Sequence, residues 1–150
     1  MFNYLTPQVV LQEVPGEVSL LFTITGCALK CEGCHSPEIH DPNYGQPLTE
    51  ADYIKWLDKY QALISCVVFF GGEWQSDQLI ICLSIAKKRG LKTCLYTGKD
   101  KLSKPILAQL DYVKYGRWQP KLGGLDKATT NQRFVNVHTG ELLNAKFQTH

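Results

Sequence analysis

No apolar run in this chain approaches the roughly 18 residues that a membrane-crossing helix requires, which excludes a helical membrane span. The opening stretch MFNYLTPQVV has no basic head before an apolar segment, so no secretory signal is read there and a cytoplasmic address is expected. Neither sign of charge predominates, and a formal net charge of +2 gives no ground for a nucleic-acid partner. Repeats, low-complexity tracts and breaks in composition are all missing. What is present is ordinary: 44% hydrophobic and 20% charged residues over 150 positions, a composition that excludes wholesale disorder. One domain, residues 1–150, is expected, large enough to bury a core without staples.

The charges are unevenly spread. Residues 1–60 hold eight acids against three lysines, a balance of −5, while residues 87–121 hold ten bases against Asp100 and Asp111, a balance of +8. The basic stretch reads either as a solvated face or as a docking surface for an acidic protein.

Six cysteines without a signal peptide point to a reducing compartment rather than to disulfides. Cys66, Cys82 and Cys94 lie inside apolar segments and are expected to be small core residues. Cys27, Cys31 and Cys34 stand together.

Residues 17–25, EVSLLFTIT, form an apolar run closed by Gly26, and 65–70, SCVVFF, a second one closed by Gly71-Gly72-Glu73. Leu91–Tyr96 and Asp111–Tyr115 complete a set of four buried strands. Between them, Thr49 caps a helix over 50–62 that places Tyr53, Trp56, Leu57 and Tyr60 on one face. Ser76 caps another, with Leu79, Ile80, Leu83 and Ala86 inward, Lys87-Lys88-Arg89 in its last turn and Gly90 as its stop. A short helix spans 104–110, and Arg133–Val137 with Glu141–Leu143 forms a terminal hairpin.

Strands alternating with helices predict an α/β fold with a mostly parallel sheet covered by helices. The chain is too short to close an eightfold barrel, so an open, partial (β/α) barrel is expected. Ligands of such sheets sit at the carboxyl ends of strands. The cysteine loop, Gly71-Gly72-Glu73 and Tyr96-Thr97-Gly98 all follow strand ends and therefore converge on one rim.

Three thiolates within eight residues suit one soft metal centre. A zinc knuckle and a chance grouping of core cysteines are the structural alternatives. Glu73 reads as a charge partner for a bound cation or as a solvated loop carboxylate, and Asn131-Gln132-Arg133 as a loop anchor or a contact to a ligand carboxylate.

The C-x3-C-x2-C spacing of Cys27, Cys31 and Cys34, with the Gly-Gly-Glu after the next strand, resembles the radical S-adenosylmethionine (SAM) superfamily. Gly26-Cys27, Lys30-Cys31-Glu32-Gly33-Cys34 and the segment from Gly123-Gly124 to Asn131-Gln132-Arg133-Phe134 are similar to the small activating proteins of anaerobic ribonucleotide reductase. The resemblance implies that the three cysteines hold a [4Fe-4S] cluster whose fourth iron binds the methionyl part of SAM. It places Gly71, Gly72 and Glu73 beside the methionine amine, Gly33 and His35 near adenine, and Tyr96 and Thr97 among the remaining cofactor contacts. The implied reaction is reductive cleavage of SAM to a 5′-deoxyadenosyl radical that generates a glycyl radical on the partner, the large catalytic subunit of the reductase. A reductant such as flavodoxin or ferredoxin is implied, with no nucleic acid and no membrane. Other readings from the sequence are a small radical SAM enzyme acting on a small molecule, a zinc-binding interaction module and a simple electron carrier.

Overall fold

The structure, a computed structural model, describes residues 2–26, 41 and 43–148. Its elements run β1 (Asn3–Tyr4), β2 (Gln8–Val10), β3 (Ser19–Thr23), β4 (Gln46–Pro47), α1 (Glu50–Tyr60), β5 (Cys66–Phe70), α2 (Ser76–Lys88), β6 (Lys92–Tyr96), α3 (Lys104–Leu107), β7 (Tyr112–Tyr115) and β8 (Arg133–Asn136). Six strands form one sheet in the order β2-β3-β5-β6-β7-β8, and β1 pairs with β4 in a separate ribbon. The central four, β3, β5, β6 and β7, are parallel, whereas β2 and β8 run antiparallel at the edges. This is an α/β molecule with a mostly parallel central sheet. Among the described residues no helix is long and apolar enough to cross a membrane.

The four parallel strands coincide with the four apolar runs, because strands buried on both faces need apolar side chains at every position. Leu20, Phe22, Val67, Phe69, Leu95 and Val113 point to one face and pack with Tyr53, Leu57, Leu79, Leu83, Ile106 and Leu110 from the helices. Phe22 stacks on Phe69 at 5.3 Å between ring centres, and Tyr53 closes over both. The Tyr53 hydroxyl donates to the Cys82 carbonyl at 2.8 Å, so even the polar tip of this buried ring is satisfied.

Among the described residues, α-helices cover that face alone. The opposite face carries Cys66, Val68, Cys94 and Phe134, and it is closed by Val14, Leu125, Leu143 and Phe147 from segments without α-helix. The expectation of a sheet covered by helices therefore holds for one side only. Consecutive parallel strands added in one direction across the sheet, joined by connections of one hand, place their helices on a single face.

Local signals held at several boundaries and failed at others. Thr49 caps α1 by accepting from the Asp52 amide at 3.0 Å, and Gly90 ends α2 with φ +78°. Ser76 is not a cap: a 3-10 turn, Glu73–Gln75, runs directly into α2 and makes Ser76 its first residue. The terminal hairpin is present in short form: β8 meets residues 141–143 through the antiparallel Val135–Leu142 bridge, with the Asn136 amide donating to the Glu141 carbonyl at 3.0 Å and the Leu143 amide to the Phe134 carbonyl at 2.7 Å.

At the amino-terminal end of the parallel strands, Asp111 joins three elements. Its carboxylate accepts from the Thr93 amide at 2.9 Å and faces His138 Nε2 at 2.6 Å and Lys87 Nζ at 3.4 Å. Those partners outweigh the burial that would raise its pKa, and its carboxyl is held below the usual aspartate value.

Candidate cofactor site at the strand ends

The parallel strands deliver their carboxyl ends to one rim, and the backbone there is tightly specified. The Ile24 amide continues the β3–β5 ladder to the Phe70 carbonyl at 2.9 Å, and the Gly71 amide reaches the Tyr96 carbonyl at 3.1 Å. The Thr97 amide in turn reaches the Lys114 carbonyl at 2.8 Å. Ile24, Gly71 and Thr97 are thereby locked side by side across the sheet.

Gly26 leaves β3 with φ +98°, and Cys27 is the next residue. Cys27, Cys31 and Cys34, with Gly33 and His35, lie outside the described residues. The two ends of their segment do not. The Thr25 amide donates to the Asn3 carbonyl at 3.1 Å, and Asn3 also pairs with Pro47 in the β1–β4 ribbon. Both ends of the cysteine-bearing stretch are thus fastened to the same strand.

Gly71 and Gly72 have φ +84° and +107°, a region that side chains strongly disfavour. A Cβ on Gly71 would come within 2.5 Å of the Trp74 ring, and one on Gly72 within 3.2 Å of Phe2. The pair is required by the protein's own packing. It lets the chain double back from β5 into the 3-10 turn and so brings Glu73 under the rim.

Glu73 is only 8% exposed, so the solvated-carboxylate reading is corrected. Its Oε1 accepts from the Thr97 hydroxyl at 3.1 Å, and that hydroxyl accepts from the Lys99 amide at 3.1 Å. Its Oε2 is buried without a hydrogen-bond partner among the described residues. Burial pushes the Glu73 carboxyl above its ordinary value, while its own backbone amide, the Thr97 hydroxyl, Lys99 and Lys114 pull it back. An orphaned carboxylate oxygen in a buried place is the complement of a cation or an N–H donor. An ammonium-bearing ligand fits that requirement.

Tyr96 is placed differently from Thr97. Its ring stacks on Phe70 at 4.6 Å, and its hydroxyl donates to the Glu13 carbonyl. Tyr96 is therefore part of the wall beneath the rim, with its polar end already engaged.

Sequence reasoning missed Lys114. This side chain lies buried on the face away from the helices, 5.7 Å from the centre of the Tyr96 ring, and its Nζ donates to the Gly116 carbonyl at 2.8 Å. The only signal was a single lysine inside an apolar strand. Gln132 Nε2 reaches the same carbonyl at 3.4 Å, and Asn131 Nδ2 reaches the Arg117 carbonyl at 3.2 Å. Arg133 donates to the Asp100 carbonyl and lies 5.2 Å from the Tyr115 ring. These bonds carry the loop-anchor reading of Asn131-Gln132-Arg133.

Cys66, Cys82 and Cys94 are buried and free. Burial raises their thiols, to about 12 for Cys66 and Cys82, so none is a ready thiolate. Among the described residues no group of His, Cys, Asp or Glu could hold a metal ion.

Residues 14–135 match the family model described as 4Fe-4S single cluster domain. The chain belongs to that family. Membership of the 4Fe-4S single cluster domain family assigns an iron–sulfur cluster to this protein. Over 94 residues the chain is also 31% identical to the pyruvate formate-lyase-activating enzyme of Clostridium pasteurianum, a match that covers 59% of this chain and 39% of that enzyme. The chain thus spans about two fifths of the length of the curated relative it matches.

Proposed function

We propose that this protein is a radical SAM activating enzyme, residues 1–150 acting as one open (β/α) barrel domain, that installs a glycyl radical on a partner protein. The observation that carries the reading is Glu73: a buried carboxylate with an unpartnered oxygen, set on a Gly-Gly strand end in a chain of a 4Fe-4S family. The resemblance to an activating enzyme supports a glycyl radical enzyme as partner. The large subunit of anaerobic ribonucleotide reductase is the partner we favour, on the match of Gly123–Phe134 and the cysteine segment.

In this reading Cys27, Cys31 and Cys34 hold the cluster, and three protein ligands leave one iron open. Gly71 and Gly72 bring main chain close to the methionyl group, and Glu73 Oε2 accepts from its ammonium. Thr97 holds the other carboxylate oxygen and so fixes the direction in which Glu73 points. Gly33 and His35 lie on the adenine side. Tyr96 contributes wall rather than a hydrogen bond. When bound, the cluster and SAM supply one-electron cleavage of the sulfonium to methionine and a 5′-deoxyadenosyl radical, which takes a hydrogen atom from a glycine Cα of the partner. The electron comes from a reductant such as flavodoxin or ferredoxin. The protein's own work is binding, orientation and exclusion of water.

Anaerobic reconstitution with iron and sulfide tests this. Wild-type protein given SAM and dithionite is expected to yield 5′-deoxyadenosine, and Cys31→Ala to lose iron loading and 5′-deoxyadenosine together. Electron paramagnetic resonance after adding the reductase large subunit or, separately, pyruvate formate-lyase identifies the partner by its glycyl signal. A reconstituted wild type that carries the cluster and leaves SAM intact overturns the reading.

A further inference from the structure

The basic stretch 87–121 is contiguous in sequence but divides in the fold. Lys87 and Arg89 sit where α2 ends and β6 begins, and both are neutralised there, by Asp111 at 3.4 Å and Asp58 at 2.6 Å. Lys99, Lys101 and Lys104 belong to the connection that leaves the carboxyl end of β6, and Lys121 to the one that leaves β7. All four are exposed, and none forms an ion pair with a described acid.

The two connections are held together as one surface. The Gly116 amide donates to the Lys99 carbonyl at 3.0 Å, and Arg133, at the start of β8, donates to the Asp100 carbonyl. The exposed Arg117 and Arg133 extend the same rim, with Asp100 as the acid among these cations. Both ends of the sheet carry exposed lysines, Lys88 and Lys92 at one and Lys99, Lys101, Lys104 and Lys121 at the other, and the larger group lies at the end that carries the site.

We propose that this rim is the docking surface for an acidic segment of the protein substrate. The inference rests on the reading above that the substrate is another protein. Position selects the substrate over the reductant. The cysteines follow β3, whereas the lysines follow β6 and β7, two and three strands further across the sheet. Ordinary strand spacing puts these about 10 and 14 Å from β3. A reductant delivers its electron to the cluster, whose ligands in this reading follow β3 in the sequence and not β6 or β7. A segment held by the lysines lies at the β6 and β7 end of the rim.

The test compares Lys101→Glu/Lys104→Glu with Lys88→Glu/Lys92→Glu, which carries the same charge change on exposed residues at the opposite end of the sheet. Neither pair includes a residue of the site. The probes are a fluorescein-labelled deca-glutamate peptide and a labelled dT20 oligonucleotide, read by anisotropy on cluster-loaded protein at low and high salt. The rim variant is expected to bind the peptide about tenfold more weakly at low salt and to lose its salt dependence, whereas the other variant stays within about twofold of wild type. The proposal is overturned by equal losses in the two variants, or by a rim that binds dT20 in preference to the peptide. Formation of 5′-deoxyadenosine without partner, measured in parallel, is expected to be unchanged in both. Its absence from wild type, with the binding contrast intact, would remove the radical reading and leave the acidic-peptide surface standing.

Discussion

Glu73 shows how a single side chain reconciles folding with a ligand. Its carboxyl is raised in the folded protein, so the stability linked to it is present below its unfolded value and is lost as pH rises through the raised native value. At neutral pH the buried carboxylate therefore costs stability, and Gln at this position keeps an acceptor for the Thr97 hydroxyl while removing the charge. Glu73→Gln is expected to raise the melting midpoint of cluster-free protein by roughly 2–4 °C at pH 7, with the gain fading towards about pH 4. The same substitution is expected to weaken SAM binding. A thermal shift series across pH checks the first statement, and a midpoint that falls at pH 7 would show that Glu73 is already compensated. Such a trade of stability against binding is typical of groups placed for a ligand. The position of Glu73 after an apolar strand was legible in the sequence; its burial was not, because that depends on Trp74 and the two glycines turning the chain inward.

Among the elements, the four parallel strands were legible because each is a continuous apolar run with a glycine or a turn beyond it. The strands β1, β2 and β4 were not. Each has two or three residues, and their partners define them: Tyr4 pairs with Gln46, and Val9 with Leu20. The inward lysine of β7 was illegible for a related reason, since its burial depends on the Gly116 carbonyl that meets it. Asp111 was read as a charge in a basic stretch and as the start of a strand, yet it ties β6, α2 and the segment after β8 together. Its lowered value means that stability is present above the unfolded aspartate value and drains away as pH falls through the native one. Asp111→Asn is expected to cost about 1–3 kcal/mol at neutral pH, the range for disturbing a buried hydrogen-bonded group. It should also flatten the acid side of the stability profile. Urea unfolding at several pH values measures both, and an acid limb as steep as that of wild type would transfer the effect to another carboxylate.

At the scale of the whole molecule, the asymmetry of the sheet governs motion. One face is sealed by α1, α2 and α3 over stacked aromatic rings; the other is covered by segments that contribute few side chains each, such as Val14, Leu125 and Phe147. Local opening is cheapest where little apolar contact is lost. Hydrogen exchange is expected to be slowest at the amides of Phe69 and Leu95, and fastest in residues 117–130. The reverse order would mean that the loop-covered face is the more stable one.

The attachment of the cysteine-bearing stretch at Asn3 has an evolutionary corollary. A stretch fastened to one residue at both ends has its span set by those fastenings, so the sheet does not register how much chain lies between them. Doubling such a loop adds only about 0.6 kcal/mol of closure entropy. Insertions there should be well tolerated by the scaffold, leaving the geometry of the metal ligands to diversify while Phe2–Tyr4, which contribute no ligand, stay constrained.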